Sequence, residues 1–166
     1  MDEFEAIDDS FSRLAARLVQ DPAARRAALR ECAFFDPLPD PWLERLSAIA
    51  SIQTFDSDVC LTLQNEDTRS FYVILRGSAE AFHNGKLVGT IEAGECIGEA
   101  IFFADGNTAS SATVIADYKI IAAEFSKDTI AALQADLEFM AHIDKALLRA
   151  LFKKLQGANR KIEQLL

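Results

Sequence analysis

The segment from Gly94 to Ala116 combines the features of an anion-binding turn. It reads GECIGEAIFFADGNTASSATVIA, in which the pair Gly98-Glu99 precedes a short predicted helix and a β-branched run closes the segment. Amides at the beginning of a helix carry partial positive charge and bind phosphate or carboxylate groups. The pattern therefore predicts a backbone cradle for a small anion.

No cation accompanies this predicted cradle. The sequence has no Lys or Arg between Glu92 and Tyr118. Two interpretations stay open: a phosphate-binding turn that has lost its counter-charge, or a turn that never bound phosphate. The same stretch carries five carboxylates, at Glu92, Glu95, Glu99, Asp105 and Asp117.

The other reactive side chains form no catalytic or metal-binding pattern. Cys32, Cys60 and Cys96 are too far apart for a C-x-x-C pair, so buried reduced thiols are expected. His83 and His142 have no Cys or carboxylate at metal-ligand spacing, and no G-x-S-x-G nucleophile motif occurs. We therefore expect a protein that is not an enzyme and has no catalytic residue, metal or cofactor.

Helical patterns occupy the first 50 residues. The apolar spacing of residues 4–20 is that of an amphipathic helix. Asp21-Pro22 is a typical helix start, with Asp as the N-cap and Pro in the first turn. Asp40-Pro41 repeats this signal and predicts a third helix over PWLERLSAIASI.

The middle third has the pattern of short antiparallel strands. The runs TFDSDVCLTL, SFYVILRG, SAEAFHNG, KLVGTIEAG and SATVIADYKIIAAEF are rich in β-branched or aromatic residues and are separated by turn residues. Asn84-Gly85 predicts a type I′ hairpin. A small antiparallel barrel or jelly roll is the expected architecture, with Phe71, Phe102 and Phe103 in its core.

The C-terminal region predicts a long helix after an N-cap at Ser126. Its apolar positions step by three and four, which is typical of a seam against another helix. Homodimerisation is the favoured interpretation, and packing of the helix on its own barrel is the alternative. The predicted dimer seam comprises Leu148, Leu151, Leu155, Ala158, Ile162 and Leu165.

Basic residues cover another face of this predicted helix. Such a face usually contacts solvent, and docking of an acidic protein partner is the alternative. The residues are Lys145, Arg149, Lys153, Lys154, Arg160 and Lys161.

The composition narrows the class of partner and the location. The chain has 166 residues, 50% hydrophobic content and a net charge of −9, which fits one soluble domain with added helices. An acidic chain argues against a nucleic-acid partner, because phosphate binding relies on Lys and Arg. The N-terminus MDEFEAIDDS is acidic, and no apolar run is long enough for a membrane span. We expect a cytoplasmic protein that binds neither nucleic acid nor membranes.

Three segments together resemble a known family. SFYVILRGSAEAF, GTIEAGECIGEAIFF and SSATVIADYKIIAAEF are similar to the cyclic nucleotide-binding domain of catabolite-activator-type regulators, kinase regulatory subunits and cyclic-nucleotide-gated channels. The resemblance covers residues 34–165 and implies an α+β fold. The expected fold is an antiparallel β-roll, of the jelly-roll or double-stranded β-helix type, between N-terminal helices and a long C-terminal helix. The implied domain ranges are 1–33, 34–125 and 126–166.

The resemblance also implies a set of ligand-binding residues. In the family, a Gly-Glu turn, a short helix and an Arg hold the cyclic phosphate, and the Glu accepts a hydrogen bond from the ribose. The amides that follow the Gly-Glu pair would then face the phosphate. Carried over to this sequence, the candidate cassette consists of Gly98, Glu99, Ala100, Ile101, Ser110, Ser111 and Ala112.

Ser110 stands where the family has its arginine. A charge-assisted hydrogen bond contributes about 1.5 to 3 kcal/mol, so we expect cyclic AMP to bind at least about ten- to a hundredfold more weakly than in a standard site. Serines at this position also commonly form turns, and Glu99 can accept amides of its own turn instead of a ribose hydroxyl.

Two functions follow as expectations. The first is a non-catalytic regulatory module that senses a cyclic nucleotide or a divergent small ligand and transmits binding to the C-terminal helix. The alternative is a degenerate domain that binds no nucleotide and serves as a dimerisation or protein-interaction scaffold.

Overall fold

The computed structural model describes residues 2–103 and 108–166. Two short 3-10 helices, Ala33–Phe35 and Glu99–Phe102, accompany the main elements. The helices are α1 (Glu3–Gln20), α2 (Pro22–Glu31), α3 (Asp40–Ile49), α4 (Lys127–Gln134) and α5 (Leu137–Leu165). The strands are β1 (Ser51–Phe55), β2 (Cys60–Thr62), β3 (Ser70–Arg76), β4 (Ala79–His83), β5 (Lys86–Ile91), β6 (Cys96–Ile97), β7 (Thr113–Ala116) and β8 (Ile120–Ser126).

The strands form two four-stranded antiparallel sheets. The strand order is β1-β8-β3-β6 in the first sheet and β2-β7-β4-β5 in the second. One buried cluster joins Ile74 and Ile120 of the first sheet to Ala79, Ile91 and Val114 of the second, so the two sheets share a core. This arrangement confirms the predicted α+β fold with an antiparallel β-roll.

The helices cover the outer face of the first sheet. Side chains alternate along a strand, so β8 directs Ala122 into the roll and Phe125 toward the helices. Phe125 belongs to the larger buried cluster together with Leu29 of α2, Leu43 of α3 and Ile143 of α5. Because this cluster draws on the N-terminal, central and C-terminal parts of the chain, they pack as one body. The division into residues 1–33, 34–125 and 126–166 stays a prediction.

Local signals in the sequence account for most element boundaries. The Asp21 side chain accepts hydrogen bonds from the amides of Ala23 and Ala24, at 3.0 and 3.2 Å. Asn84 and Gly85 have φ values of 50° and 75°, and they connect the paired strands β4 and β5 as the hairpin signal predicts.

The prediction for the third helix was wrong in two details. Asp40 is the first helical residue rather than the N-cap, and its carboxylate accepts a hydrogen bond from Arg30 at 2.7 Å. The helix ends at Ile49. Residues 51–55 instead pair with β8, which satisfies their backbone hydrogen bonds, and Ile52 packs partly buried against the cluster of Phe11, Leu18 and Ile121.

Two predictions of burial also need correction. Cys60 is exposed on the short strand β2, whereas Cys32 and Cys96 are buried as expected. Burial raises the pKa of both buried thiols to about 12, so both are protonated at neutral pH. Phe103 is 46% exposed because the chain leaves the core after Phe102. Among the described helices, none is long and apolar enough to cross a lipid bilayer.

Candidate functional site

A cavity of about 680 Å³ lies between the second sheet and α5. The turn that begins at Gly98 and residues 109–112 form one end of it. Six of the seven candidate cassette residues line this space: Gly98, Glu99, Ala100, Ser110, Ser111 and Ala112. The seventh, Ile101, is 5% exposed and packs in the large cluster under the helices. The fold therefore brings the two halves of the candidate cassette together.

Gly98 has a conformation that this turn requires. Its φ is +85°, and a Cβ built at this position would lie 2.4 Å from the Ser70 carbonyl oxygen. The 3-10 helix that follows has only four residues, and the Ile101 amide donates to the Gly98 carbonyl at 3.2 Å. A helix this short has little dipole, and the Ile101 amide is already engaged, so the turn is a weaker anion cradle than the sequence suggests.

Ser110 is buried at the cassette end of the cavity. Its hydroxyl lies 3.0 Å from the Thr68 hydroxyl. Its backbone pairs with Asn65 and Glu66 at 2.8 and 2.9 Å, which fixes the position of the residue. The residue at the predicted arginine position therefore offers the cavity a neutral hydroxyl pair. The neighbouring Ser111 carbonyl contacts His83 Nδ1 at 2.8 Å.

Glu99 is paired with a lysine of α5. Lys154 Nζ forms an ion pair with the Glu99 carboxylate and also donates to the Cys96 carbonyl at 3.3 Å. Partial burial lowers the pKa of Lys154, but the attraction of Glu99 outweighs this effect, and the pKa is raised above its usual value. The carboxylate that the resemblance assigns to a ribose hydroxyl thus already has a charged partner.

A second ion pair lies beside the first. Lys153 Nζ is 2.6 Å from the Glu95 carboxylate, and Glu95 also accepts the Glu92 amide at 2.8 Å. Partial burial raises the pKa of Glu95, but these two contacts outweigh it, so its pKa lies below the usual value. Two ion pairs therefore hold α5 against the β-roll at the rim of the cavity.

A third lysine of α5 reaches the opposite rim. Lys161 donates to the carbonyl oxygen of Val88 in β5. Leu151, Gly157 and Ala158 form the rest of the wall that α5 contributes to the cavity. The cations that line the cavity therefore come from a helix more than 50 residues away from the cassette in sequence.

The basic pattern of these lysines favours a solvated face and by itself does not predict their place at the cavity. Their spacing carried a usable signal. Lys154 and Lys161 alternate with Leu151 and Ala158 in steps of three, four and three, so all four lie on one helix face. A stripe of residues that line the cavity therefore runs along α5, and it overlaps the predicted apolar seam.

The predicted dimer seam is divided between the cavity and the exposed surface of α5. Leu151 and Ala158 line the cavity of their own chain. The other four seam residues and Phe152 are more than half exposed: Leu148 68%, Phe152 61%, Leu155 57%, Ile162 54% and Leu165 86%. Dimerisation through this helix stays a prediction.

The comparisons with known proteins agree with this geometry. The family model for the cyclic nucleotide-binding domain matches residues 52–136, just over half of the chain. No curated protein sequence matches the chain significantly.

Solved structures share the fold at low sequence identity. A putative cyclic nucleotide-binding protein from Geobacter metallireducens has a TM-score of 0.68 and 16% identity, over 76% of this chain and 95% of that one. The regulatory subunit of a cAMP-independent protein kinase A from Trypanosoma brucei, in a mutant form bound to cAMP, has a TM-score of 0.68 and 19% identity, over 89% of this chain and 54% of that one.

A bacterial regulator has the same fold. The c-di-GMP-responsive global regulator CLP of Xanthomonas campestris has a TM-score of 0.65 and 20% identity, over 76% of this chain and 64% of that one. These likenesses agree with the family match and with the two-sheet roll. The chain therefore belongs to the cyclic nucleotide-binding domain family.

Proposed function

We propose that this chain is a non-catalytic regulatory module that senses a small ligand in the cavity and transmits binding to α5. The observation that carries the proposal is that one helix closes the cavity through two ion pairs, Glu95–Lys153 and Glu99–Lys154. A ligand that enters must contact both the roll and this helix. The cavity volume of about 680 Å³ is within the range of small-molecule sites.

The cassette end of the cavity is unsuited to a cyclic phosphate. A phosphate there would lie near the Glu99 carboxylate and would find the neutral pair of Ser110 and Thr68 where the family has an arginine. The missing charge-assisted hydrogen bond costs about ten- to a hundredfold in affinity. We infer a divergent ligand that presents an uncharged end to the cassette.

The same contacts provide a route for coupling. A ligand hydroxyl that donates to Glu99 competes with Lys154 for the carboxylate, and this competition changes how firmly α5 is held. Such a ligand shifts α5 between a firmly held and a loosened arrangement only to the extent that it binds these two arrangements with different affinity.

Thermal melting with cyclic AMP, cyclic GMP, cyclic di-GMP and a library of small metabolites tests this function. We expect little effect of the cyclic nucleotides and a raised melting temperature with at least one library compound. A ligand at 100 times its Kd stabilises the fold by about 2.7 kcal/mol. The variant Gly157→Leu is the control, because Gly157 lines the cavity and nothing lies within 4 Å of an added Cβ, so we expect the larger residue to reduce the cavity volume. A compound that stabilises both proteins equally does not act through the cavity.

A dimerising scaffold is the second candidate function. The observation that favours it is the exposed apolar stripe on α5, formed by Leu148, Phe152, Leu155, Ile162 and Leu165. A second copy of the chain would cover this stripe, since helices with apolar residues at such spacing bury them against each other. A chain that forms a dimer and that none of the tested compounds stabilises would favour the scaffold over the sensor.

A further inference from the structure

The charges around the cavity are unevenly balanced. Five charged side chains line it, namely Glu95, Glu99, Lys153, Lys154 and Lys161. The first two lysines are neutralised by the two glutamates. Lys161 contacts only a backbone carbonyl, and within residues 2–103 and 108–166 no carboxylate forms an ion pair with it. The cavity therefore has one uncompensated positive charge, at the rim between α5 and β5.

The polarity of the cavity is opposite to the one that the resemblance implies. The cassette end offers hydroxyls from Ser110 and Thr68. Apolar side chains also line the cavity, among them Ile97 and Val114 of the roll and Leu151 and Ala158 of α5. The available cation, Lys161, lies about two helical turns after Lys154 along α5, where it contacts β5 instead of the cassette.

Lys161 is the lysine that an incoming anion can use most easily. An anion that took Lys154 would leave the Glu99 carboxylate, only 17% exposed, without its partner, and an unpaired buried charge is costly. An anion that took Lys161 would replace a neutral carbonyl acceptor by a charged one, which forms the stronger hydrogen bond.

We propose that the cavity binds a small, largely apolar molecule with a single anionic group, and that Lys161 of α5 holds this anion. The apolar body lies against Val114 of the roll and Ala158 of α5, and an uncharged polar end faces the hydroxyls of the cassette. This inference rests on the proposed sensing function and names its ligand class. It also makes α5 the element that recognises the charge of the ligand.

A pair of fluorescent probes tests the inference. The probe 8-anilinonaphthalene-1-sulfonate has an apolar body with one sulfonate, and N-phenyl-1-naphthylamine is nearly the same molecule without the charge. We expect the wild-type chain to bind the sulfonate about tenfold more tightly than the neutral probe. In Lys161→Gln this preference disappears, while binding of the neutral probe is unchanged. Lys145→Gln is the matched control, because Lys145 is exposed on α5 and does not line the cavity.

A variant that fills the cavity distinguishes probe binding inside the cavity from probe binding to the exposed face of α5. Gly157→Leu is expected to reduce binding of both probes at least tenfold, while its circular dichroism spectrum shows an intact fold. Sulfonate binding that survives Gly157→Leu, or a preference that survives Lys161→Gln, would overturn the inference. Equal binding of the two probes in the cavity would refute the anion site and leave the sensing function standing. No binding of either probe to the wild-type cavity would contradict both.

Discussion

The hydroxyl pair of Ser110 and Thr68 decides which ligand charge the cassette can accept. The two oxygens lie 3.0 Å apart in a buried position, so one hydroxyl donates a hydrogen bond to the other. A neutral pair of this kind neither attracts an anion nor requires one. The side chain of residue 110 also borders the open cavity, which leaves room for a longer residue.

Replacing this serine by arginine tests whether the rest of the cassette is intact. In Ser110→Arg, we expect cyclic AMP affinity to rise at least tenfold, because the guanidinium restores a charge-assisted hydrogen bond to the phosphate. Isothermal titration calorimetry measures the gain. Ser110→Gln supplies similar bulk without charge and should show no gain. Equal affinity in the arginine and glutamine variants would mean that the cassette lacks more than a cation.

The lowered pKa of Glu95 predicts an acid-dependent contribution to stability. Because the folded chain binds this proton more weakly than the unfolded chain, the stabilisation is complete above the usual value of 4.5 and is lost as the pH falls through the lower folded pKa. Because the lysine of this pair is 72% exposed and therefore well screened by solvent, we expect Glu95→Gln to lower the free energy of unfolding by about 0.2 to 1 kcal/mol at pH 7. Urea titrations should show that the difference from wild type shrinks below pH 4.5.

A charge control accompanies this measurement. Glu92→Gln removes an exposed carboxylate that does not line the cavity, so its effect on stability should be small at pH 7. A difference for Glu95→Gln that stayed constant from pH 7 to well below pH 4 would contradict the assigned pairing.

At the scale of elements, α5 has a buried base and, in its second half, two different faces. Phe139, Ile143, Ala146 and Leu147 fix its first half in the core. Its second half contacts the roll through lysines and small residues, and it exposes the apolar stripe on an adjacent face. Cavity closure and dimerisation through the stripe therefore use different faces and can occur together.

Charge substitution in the exposed stripe tests the dimer. In the double variant Leu155→Glu and Ile162→Glu, we expect a dimer to dissociate, because apolar burial is replaced by like charges across the interface. Sedimentation velocity at several concentrations measures the change. Gln156→Glu adds a charge on the same helix outside both stripes and should leave the assembly state unchanged. A wild-type chain that sediments as a monomer at every concentration would remove the argument for a seam.

At the scale of the whole molecule, the chain is one packed body with a peripheral closing helix. Removal of residues 151–166 is expected to leave a cooperative unfolding transition and to lower stability by at most about 2 kcal/mol, because none of these residues is fully buried. The shortened chain should lose binding to the cavity probes, since it lacks Lys161. Calorimetry and probe fluorescence measure the two effects.

A longer truncation provides the contrast. Removal of residues 137–166 also takes Phe139 and Ile143 out of the large cluster, and the loss of such side chains costs about 2 to 5 kcal/mol each. We expect that chain to be unfolded. Cooperative unfolding of the longer truncation, or unfolding of the shorter one, would contradict this division of α5.

Local patterns were sufficient for much of the fold. The caps at Asp21 and Ser126 and the hairpin at Asn84-Gly85 depend on neighbours a few residues away, so the sequence predicted them correctly. The β-roll followed from the resemblance. The end of α3 was wrong because Ser51–Phe55 pairs with β8, about 70 residues further along the chain, and such long-range pairing leaves no local signal.

The sequence by itself determined that the cassette segment has no cation, that Gly98 begins a turn, and that the final helix has an apolar seam and a basic face. Only the tertiary structure decided that the basic face closes the cavity, that Glu99 is paired, and that the seam is split between the cavity and solvent. The physical reason is that charge pairing acts through space. The partner of a carboxylate in the roll can lie anywhere in the chain, and here the fold places it on α5.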